Sequence, residues 1–451
     1  MMHGSTLSGI LAQALADTDA PLCVAYSGGP DSTALLHALA HLDPARRRDL
    51  RAIHVDHGLH VDSHDWARWC GRTCRQWHVP LDIRPVRVTP DGRGVEAAAR
   101  EARYAALAEA MRPGEWLVTA HHRDDQAETV LLKLLRGAGP EGLAGMRPSR
   151  AFGPGRLWRP LLGTPRTALQ QYLDAHHLEC LDDPANRAPE LARSHLRTDV
   201  MPRLYRHWPN AARAIAHAAR LSAQTDDYLQ SRARHHLDEL RTAPGQPLDA
   251  AGWLALHPAL QGPVLDRWLY EHGLSAPSLG QRTQLQRQIR DAAPDRVPLV
   301  RWPGTAVHLW RGRLHAHPPL NVPSRPWQHD WHGEPLPLPS GGILAMQPDG
   351  TRGIDTPVPR LRVTLGETGV TLRPAGSTHH RRLRLLYQEA GIPPWLRPLC
   401  PVIRDADGRL LAVADLWQTD AGQALFRRLH RQPAWRPFRP LIQTDDDGLN
   451  R

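Results

Sequence analysis

From residue 22 onward, short runs of consecutive apolar residues alternate with stretches in which apolar side chains recur every three or four positions. The runs at 22–26, 51–55, 81–88 and 116–120 predict strands buried on both faces. The periodic stretches predict helices at 31–40, 63–78, 95–111 and 124–136. In the second of these, Trp66, Cys70, Thr73 and Trp77 fall on one helical stripe, and the last is closed by Gly137. Repeated strand-helix units imply an α/β fold, a doubly wound parallel sheet covered by helices on both faces.

Beyond this region the strand signal fades. Thr164 followed by Pro165 suits the start of a helix through 177, and the Asp182-Asp183-Pro184-Ala185-Asn186 loop leads to another near 194–205. Helical patterns at 210–240 and twice within 247–293 predict a mostly helical middle domain. Between 318 and 342 the density of Pro, Trp, His and Gly breaks all periodicity and marks a linker. Strand-like stretches at 370–373 and 410–413 with a helix at 379–390 predict a small α/β domain at the end. The expected division is 1–206, 207–317, a linker at 318–357, and 358–451.

Composition narrows the partners. With 41% apolar residues in 451, the chain can bury ordinary cores. Lys and Arg total 56 against 46 Asp and Glu, a net charge of +10 that suits a polyanionic partner. Lys133 is the only lysine, so that charge is carried by arginine, whose planar fork matches phosphates and base edges; biased codon usage accounts for the ratio equally well. Five scattered cysteines make no disulfide scaffold, and Cys70 and Cys74, without a second pair at zinc spacing, read as buried helix cysteines. The first Arg or Lys is Arg46, and no apolar stretch reaches the roughly 20 residues a membrane span needs, so a cytoplasmic protein is expected.

The strongest chemical signal is Ser27-Gly28-Gly29-Pro30-Asp31-Ser32 between the first strand and the first helix. Adjacent glycines let the backbone approach an anion, and the following helix offers free N–H groups at the positive end of its dipole. Ser27 and Ser32 add hydroxyl donors, and Asp31 could hold a Mg²⁺ arriving with a pyrophosphate. Gly137-x-Gly139-x-x-Gly142 matches a dinucleotide fingerprint but follows a helix, so it is set aside. Asp56 closes the second strand on the same rim, and Asp125, Glu128 and Thr129 share a face of the helix after the fourth.

The Ser-Gly-Gly-x-Asp-Ser loop resembles the PP-loop of the ATP pyrophosphatase superfamily. With Val55-Asp56-His57-Gly58-Leu59, the run from His121 to Met146, Arg159-Pro160-Leu161-Leu162, the Asp183 to Asn186 loop, Leu372-Arg373-Pro374 and the stretch from Arg382 to Arg397, the chain resembles the tRNA(Ile)-lysidine synthetase family nearly throughout. One departure is Arg193-Ser194-His195-Leu196-Arg197, where the family usually has Arg-Asn-x-x-Arg. The resemblance implies ATP-dependent attachment of free L-lysine to the wobble cytidine of a tRNA(Ile) with a CAU anticodon, through an adenylated cytidine. The residues expected to act are Asp31, Asp56, Asp125, Glu128 and Arg136. ATP would be held by Ser27, Gly28, Gly29, Pro30, Asp31 and Ser32, with Mg²⁺ on Asp31. Arg193, Arg197, Arg373, Arg382 and Arg397 are expected to meet tRNA, as part of a wider basic surface that includes Arg203, Arg206 and the Trp435 to Arg439 segment. A homodimer is left open.

Three other readings compete. A PP-loop enzyme making 2-thiocytidine or 4-thiouridine would want Cys-x-x-Cys, which is absent. A non-catalytic tRNA binder would not need the intact loop. An amidotransferase-type synthetase would need a glutaminase segment, and none is recognisable.

Overall fold

Leu22 and Val24 face one side of a short strand and Cys23 the other, and all three are fully buried. Only a strand at the centre of a covered sheet meets that condition. In the computed structural model, which describes residues 6–16, 18–46, 48–88, 95–182, 192–293, 296–323, 326–339, 341–350, 356–367 and 369–437, this strand, β1 (Leu22–Ala25), occupies that place. Its sheet also contains β2 (Arg51–Asp56), β3 (Leu81–Pro85), β4 (Trp116–Val118), β5 (Ser149–Phe152) and β6 (Gly155–Trp158), in the order β3-β2-β1-β4-β6-β5. All neighbours are parallel except the β5–β6 hairpin at the edge. The strand at 81–88 therefore stops at Pro85, and the edge hairpin adds two strands that the apolar pattern did not mark.

Helices α1 (Leu7–Leu15), α2 (Pro30–Ala40), α3 (Asp43–Arg46), α4 (Ser63–Gln76), α5 (Val95–Ala110), α6 (Arg123–Leu134), α7 (Pro140–Leu143) and α8 (Arg166–Ala175) cover this sheet or connect its strands. Leu22, Val24, Ala52 and Val118 meet α1, α2, α4 and α8 in one core, where Cys70 and Cys74 are buried. Cys23, Ile53, Leu117 and Leu157 meet Leu107 and Ala110 of α5 in the other. The order reverses between β1 and β4, the crevice where open parallel sheets place ligands. At the opposite end of the strands, Arg51 donates two hydrogen bonds of 2.6 Å to the buried Glu115 carboxylate, and Arg112 N–H donates a third of 3.0 Å. The loops at the ligand end are thus built on a pinned base.

The remaining helices of the first compact unit, Met1–Tyr228, are α9 (Ala192–His195), which passes through a π-turn at Leu196–Val200, and α10 (Met201–His207). The long α11 (Ala211–Glu239) crosses into the second unit, Leu229–Arg451. There α12 (Ala250–Ala255), α13 (Pro258–Glu271) and α14 (Leu279–Arg290) accompany a small antiparallel sheet, β7 (Leu248–Asp249), β8 (Leu299–Trp302), β9 (Thr305–Trp310) and β10 (Arg313–His317), around the buried Trp253 and Trp268.

The segment expected to be a linker is corrected by the structure. It carries β11 (Gln328–Trp331), β12 (Leu336–Pro337) and β13 (Ile343–Pro348), with Trp331 and Leu344 wholly buried. Pro337 and Pro348 fall at strand ends and its other prolines outside the strands, where a missing N–H interrupts no ladder, so they hide a strand signal without preventing strands. With β14 (Leu361–Thr364), β15 (Thr371–Leu372), β16 (Arg381–Arg382), β17 (Val402–Arg404), β18 (Leu410–Val413), β19 (Trp417–Gln418) and β20 (Arg431–Arg436) they form sheets of five, three and two strands. Helix α15 (Leu383–Glu389) is shorter than the 379–390 expected, and α16 (Asp420–Leu429) was not foreseen.

Candidate active site

Gly28 adopts φ +81°, and a Cβ there would lie 2.5 Å from Leu181 Cδ1, so the turn after β1 requires glycine. The turn is held from within. Ser32 Oγ donates to Gly29 O at 3.0 Å and lies 3.1 Å from Ser27 Oγ, while Thr33 Oγ1 donates to Gly28 O at 3.1 Å. Leu181 N–H also donates to Gly28 O, at 2.9 Å. Gly29 caps α2 without a side chain, and Pro30 occupies its first turn. The amides of that turn are left to meet an anion, as phosphate-binding helix starts do.

The loop opens on a cavity of about 320 Å³ lined by Ser27, Asp31, Ser32, Asp56, His121 and Asp125. Asp56, 6% exposed at the end of β2, accepts from Gly58 N–H at 3.0 Å and faces His64 Nδ1 at 3.0 Å. At the start of α6, His122 N–H donates to Asp125 Oδ2 (3.1 Å) and Asp125 N–H to His122 Nδ1 (3.3 Å), a reciprocal cap that fixes both side chains. His122 Nε2 then stands buried with no hydrogen-bond partner among the described residues, 3.6 Å from Asp31 and 3.4 Å from Asp125. At these separations the contacts are electrostatic.

The two adjacent histidines are driven in opposite directions. Burial disfavours charge on His122, but Asp31, Asp125 and Asp124 outweigh it and raise its pKa. Burial pushes His121 down to about 4, helped by Arg159 and Arg193 against the pull of Asp125. Burial also works against the Asp31 carboxylate, yet His122, Arg166 and Arg197 hold it below its ordinary range.

The carboxylates expected to grip an amine already have cationic partners. Glu128, 2% exposed, accepts from Arg193 Nε at 2.9 Å and from Arg197 Nε at 2.8 Å; Asp125 Oδ1 accepts from the Nη2 of each, at 3.2 and 3.0 Å. Two arginines four apart thus straddle two acids three apart. Arg193 and Arg197, expected to meet tRNA, place their Nε and Nη2 donors on these acids while each stays about 30% exposed. Asp125 still reaches the cavity, whereas Glu128 is not among its lining residues. The matched spacing was visible in the sequence, but the partners lie 65 and 69 residues apart.

Arg136 is also corrected. It is exposed just past the far end of α6, roughly 16 Å along the helix from Asp125, and does not line the cavity. In the second unit Arg373 is exposed and pairs with Asp420 at 2.6 Å, and Arg382 is exposed. Arg397 is half-buried and donates to Ile392 O at 3.0 Å, a packing role rather than a surface one. Arg103 and Tyr104 of α5, unforeseen, line the cavity opposite the loop. The Asp183 to Asn186 loop, Phe438 and Arg439 lie outside the described residues. Among the described residues no helix is long and apolar enough to cross a membrane, and no cluster of three His, Cys, Asp or Glu could hold a metal alone.

Residues 5–204 match the family described as PP-loop domain, 248–315 the TilS substrate binding domain and 361–432 the TilS substrate C-terminal domain. The chain is 42% identical over 405 residues to the tRNA(Ile)-lysidine synthase of Xanthomonas campestris pv. campestris (strain 8004), covering 88% of this chain and 90% of that one. Identity is 41% over 403 residues to the protein of the same name from Xanthomonas axonopodis pv. citri (strain 306), covering 88% and 89%. To that of Alkalilimnicola ehrlichii it is 40% over 401 residues, covering 87% and 89%.

Proposed function

The chain belongs to the tRNA(Ile)-lysidine synthase family, a group of PP-loop enzymes that use ATP, and from that premise we propose how its own residues carry the reaction. ATP lies with its two outer phosphates on the Ser27 to Ser32 turn. The O2 of the wobble cytidine of a tRNA(Ile) with a CAU anticodon attacks the innermost phosphorus, and pyrophosphate leaves into the turn. The ε-amine of free lysine then adds at C2 of the ring, AMP departs with the oxygen, and lysidine results.

What supports this reading is one juxtaposition: a helix start with unused amides faces Asp56 and Asp125 across a single cavity. The amides stabilise the departing pyrophosphate. Asp56 and Asp125 hold the lysine ammonium and draw its proton away, while Glu128 keeps the two arginines, and through them Asp125, in place. Arg373 and Arg382 are surface contacts for the tRNA. Asp31, ionised and open to the cavity, fits a Mg²⁺ that takes its other ligands from water and phosphate. Such an ion would supply charge neutralisation for the leaving phosphates.

The thiolation reading is disfavoured: four of the five cysteines are buried, and the half-buried Cys180, its thiol also pushed up by burial, has no Cys-x-x-Cys partner. Burial pushes the thiols of Cys70 and Cys74 up to about 12 and encloses Cys23 and Cys400 as well. The test is incubation with ATP, Mg²⁺, labelled lysine and an unmodified CAU-anticodon tRNA(Ile) transcript. Label on the RNA with stoichiometric AMP is expected; ADP formation, or RNA without label, would overturn the reading.

A further inference from the structure

Helix α6 has a second face at its first turn. Asp125 looks into the catalytic cavity, whereas Arg123 and Gln126 line a separate cavity of about 780 Å³ that the chemistry above does not use. Its other wall is the start of α11, where Arg213, His217 and Arg220, spaced four and three apart, share a face. None of the described lining residues is acidic. Arg147 in this wall is anchored by Asp226 at 2.5 Å, but among the described residues no ion pair engages Arg123, Arg213 or Arg220. Arg123 Nε is buried with no hydrogen-bond partner among the described residues. Cationic groups left unmatched around one hollow repel one another, an arrangement that an anionic occupant relieves.

We propose that this cavity binds backbone phosphates of the RNA whose base enters the catalytic cavity, one helix diameter, about 10 Å, away. The inference rests on the chain acting on tRNA. RNA backbone is favoured over a free nucleotide because among the described residues no Trp, Tyr or Phe lines the cavity to stack on a purine, while the arginine forks suit phosphate oxygens. The phosphates held here would fix the strand on one side of α6 while its base is presented on the other.

The test measures tRNA binding between 50 and 200 mM salt (roughly the range over which phosphate contacts are read) for the wild-type chain, the R213Q/R220Q double variant and an R213K/R220K control. ATP binding is titrated in parallel. Both positions are exposed, so the fold should tolerate either change. The glutamine pair is expected to weaken tRNA binding about tenfold and to reduce the salt slope by about one to two, with ATP binding unchanged and the lysine pair intermediate. Unchanged tRNA affinity and slope in the glutamine pair, beside a wild type that binds tRNA, would overturn this inference alone. Lost ATP or pyrophosphate affinity with tRNA binding intact would make the cavity a free-anion site and also overturn it. A wild type that does not bind tRNA would take the functional reading down as well.

Discussion

Glu128 is the most enclosed acid of the site, and both its oxygens accept from arginine. Replacing it with glutamine leaves Arg193 and Arg197, each about 30% exposed, with a neutral partner. The expected cost is about 3 kcal/mol, the low end for breaking a buried pair because water reaches the arginines. Asp125→Asn removes a carboxylate that faces the cavity but keeps its shape and one carbonyl oxygen for the two arginines, giving up the acceptor for His122 N–H. It should therefore lose lysine transfer with a smaller change in stability. Denaturant titration beside labelled-lysine incorporation separates the two, and an Asp125→Asn protein that still transfers lysine would remove that residue from the proposed role. These contrasts rest on ion pairs that chain order concealed. Asp125 and Glu128 were legible as neighbours because three positions on a helix define a face, whereas their cations come from another element that only the tertiary fold delivers.

Among the elements, the turn from β1 into α2 was the most legible, since a left-handed glycine, a bare helix start and two serines each follow from a few adjacent residues. Gly28→Ala tests it. The left-handed backbone alone costs an L-residue about 1–2 kcal/mol, and the added methyl must displace the flexible end of Leu181. The expected result is a stability loss of that size with ATP affinity reduced about tenfold, read by thermal melting and nucleotide titration. Less legible were β11 to β13, which are two to six residues long and, in β12 and β13, end on proline. There the signal lies in single buried residues such as Trp331, and a period of two cannot be recognised over so few positions. Arg136 was misplaced for another reason: it follows a helix whose start is in the site, and helix length carried it away.

At the scale of the whole molecule, the second unit contains a pH-sensitive seam. Trp395 stacks on His308 with ring centroids 4.1 Å apart, and His315 and His317 lie beside it. Burial, with neighbouring His317 and arginines, pushes His308 down to about 3 and His315 to about 4. Because these folded-state values lie below the unfolded value of about 6.5, the stability tied to neutral rings is complete above that pH and falls as pH drops toward 4. Each ring should cost about 1–2 kcal/mol at pH 5, and the melting temperature should fall by about 5–10 °C between pH 7.5 and 5. Trp395→Ala, by opening the seam to water, should flatten that dependence. Helix α11 bears on how the chain can be dissected. Ala212 near its start is buried among residues of the first unit, while Ala233 and Leu237 near its end are buried among residues of the second. A cut at Tyr228 would split one rod and leave an apolar stump on each fragment, so autonomous pieces are to be sought by ending one after Glu239 or beginning the other near Asn210.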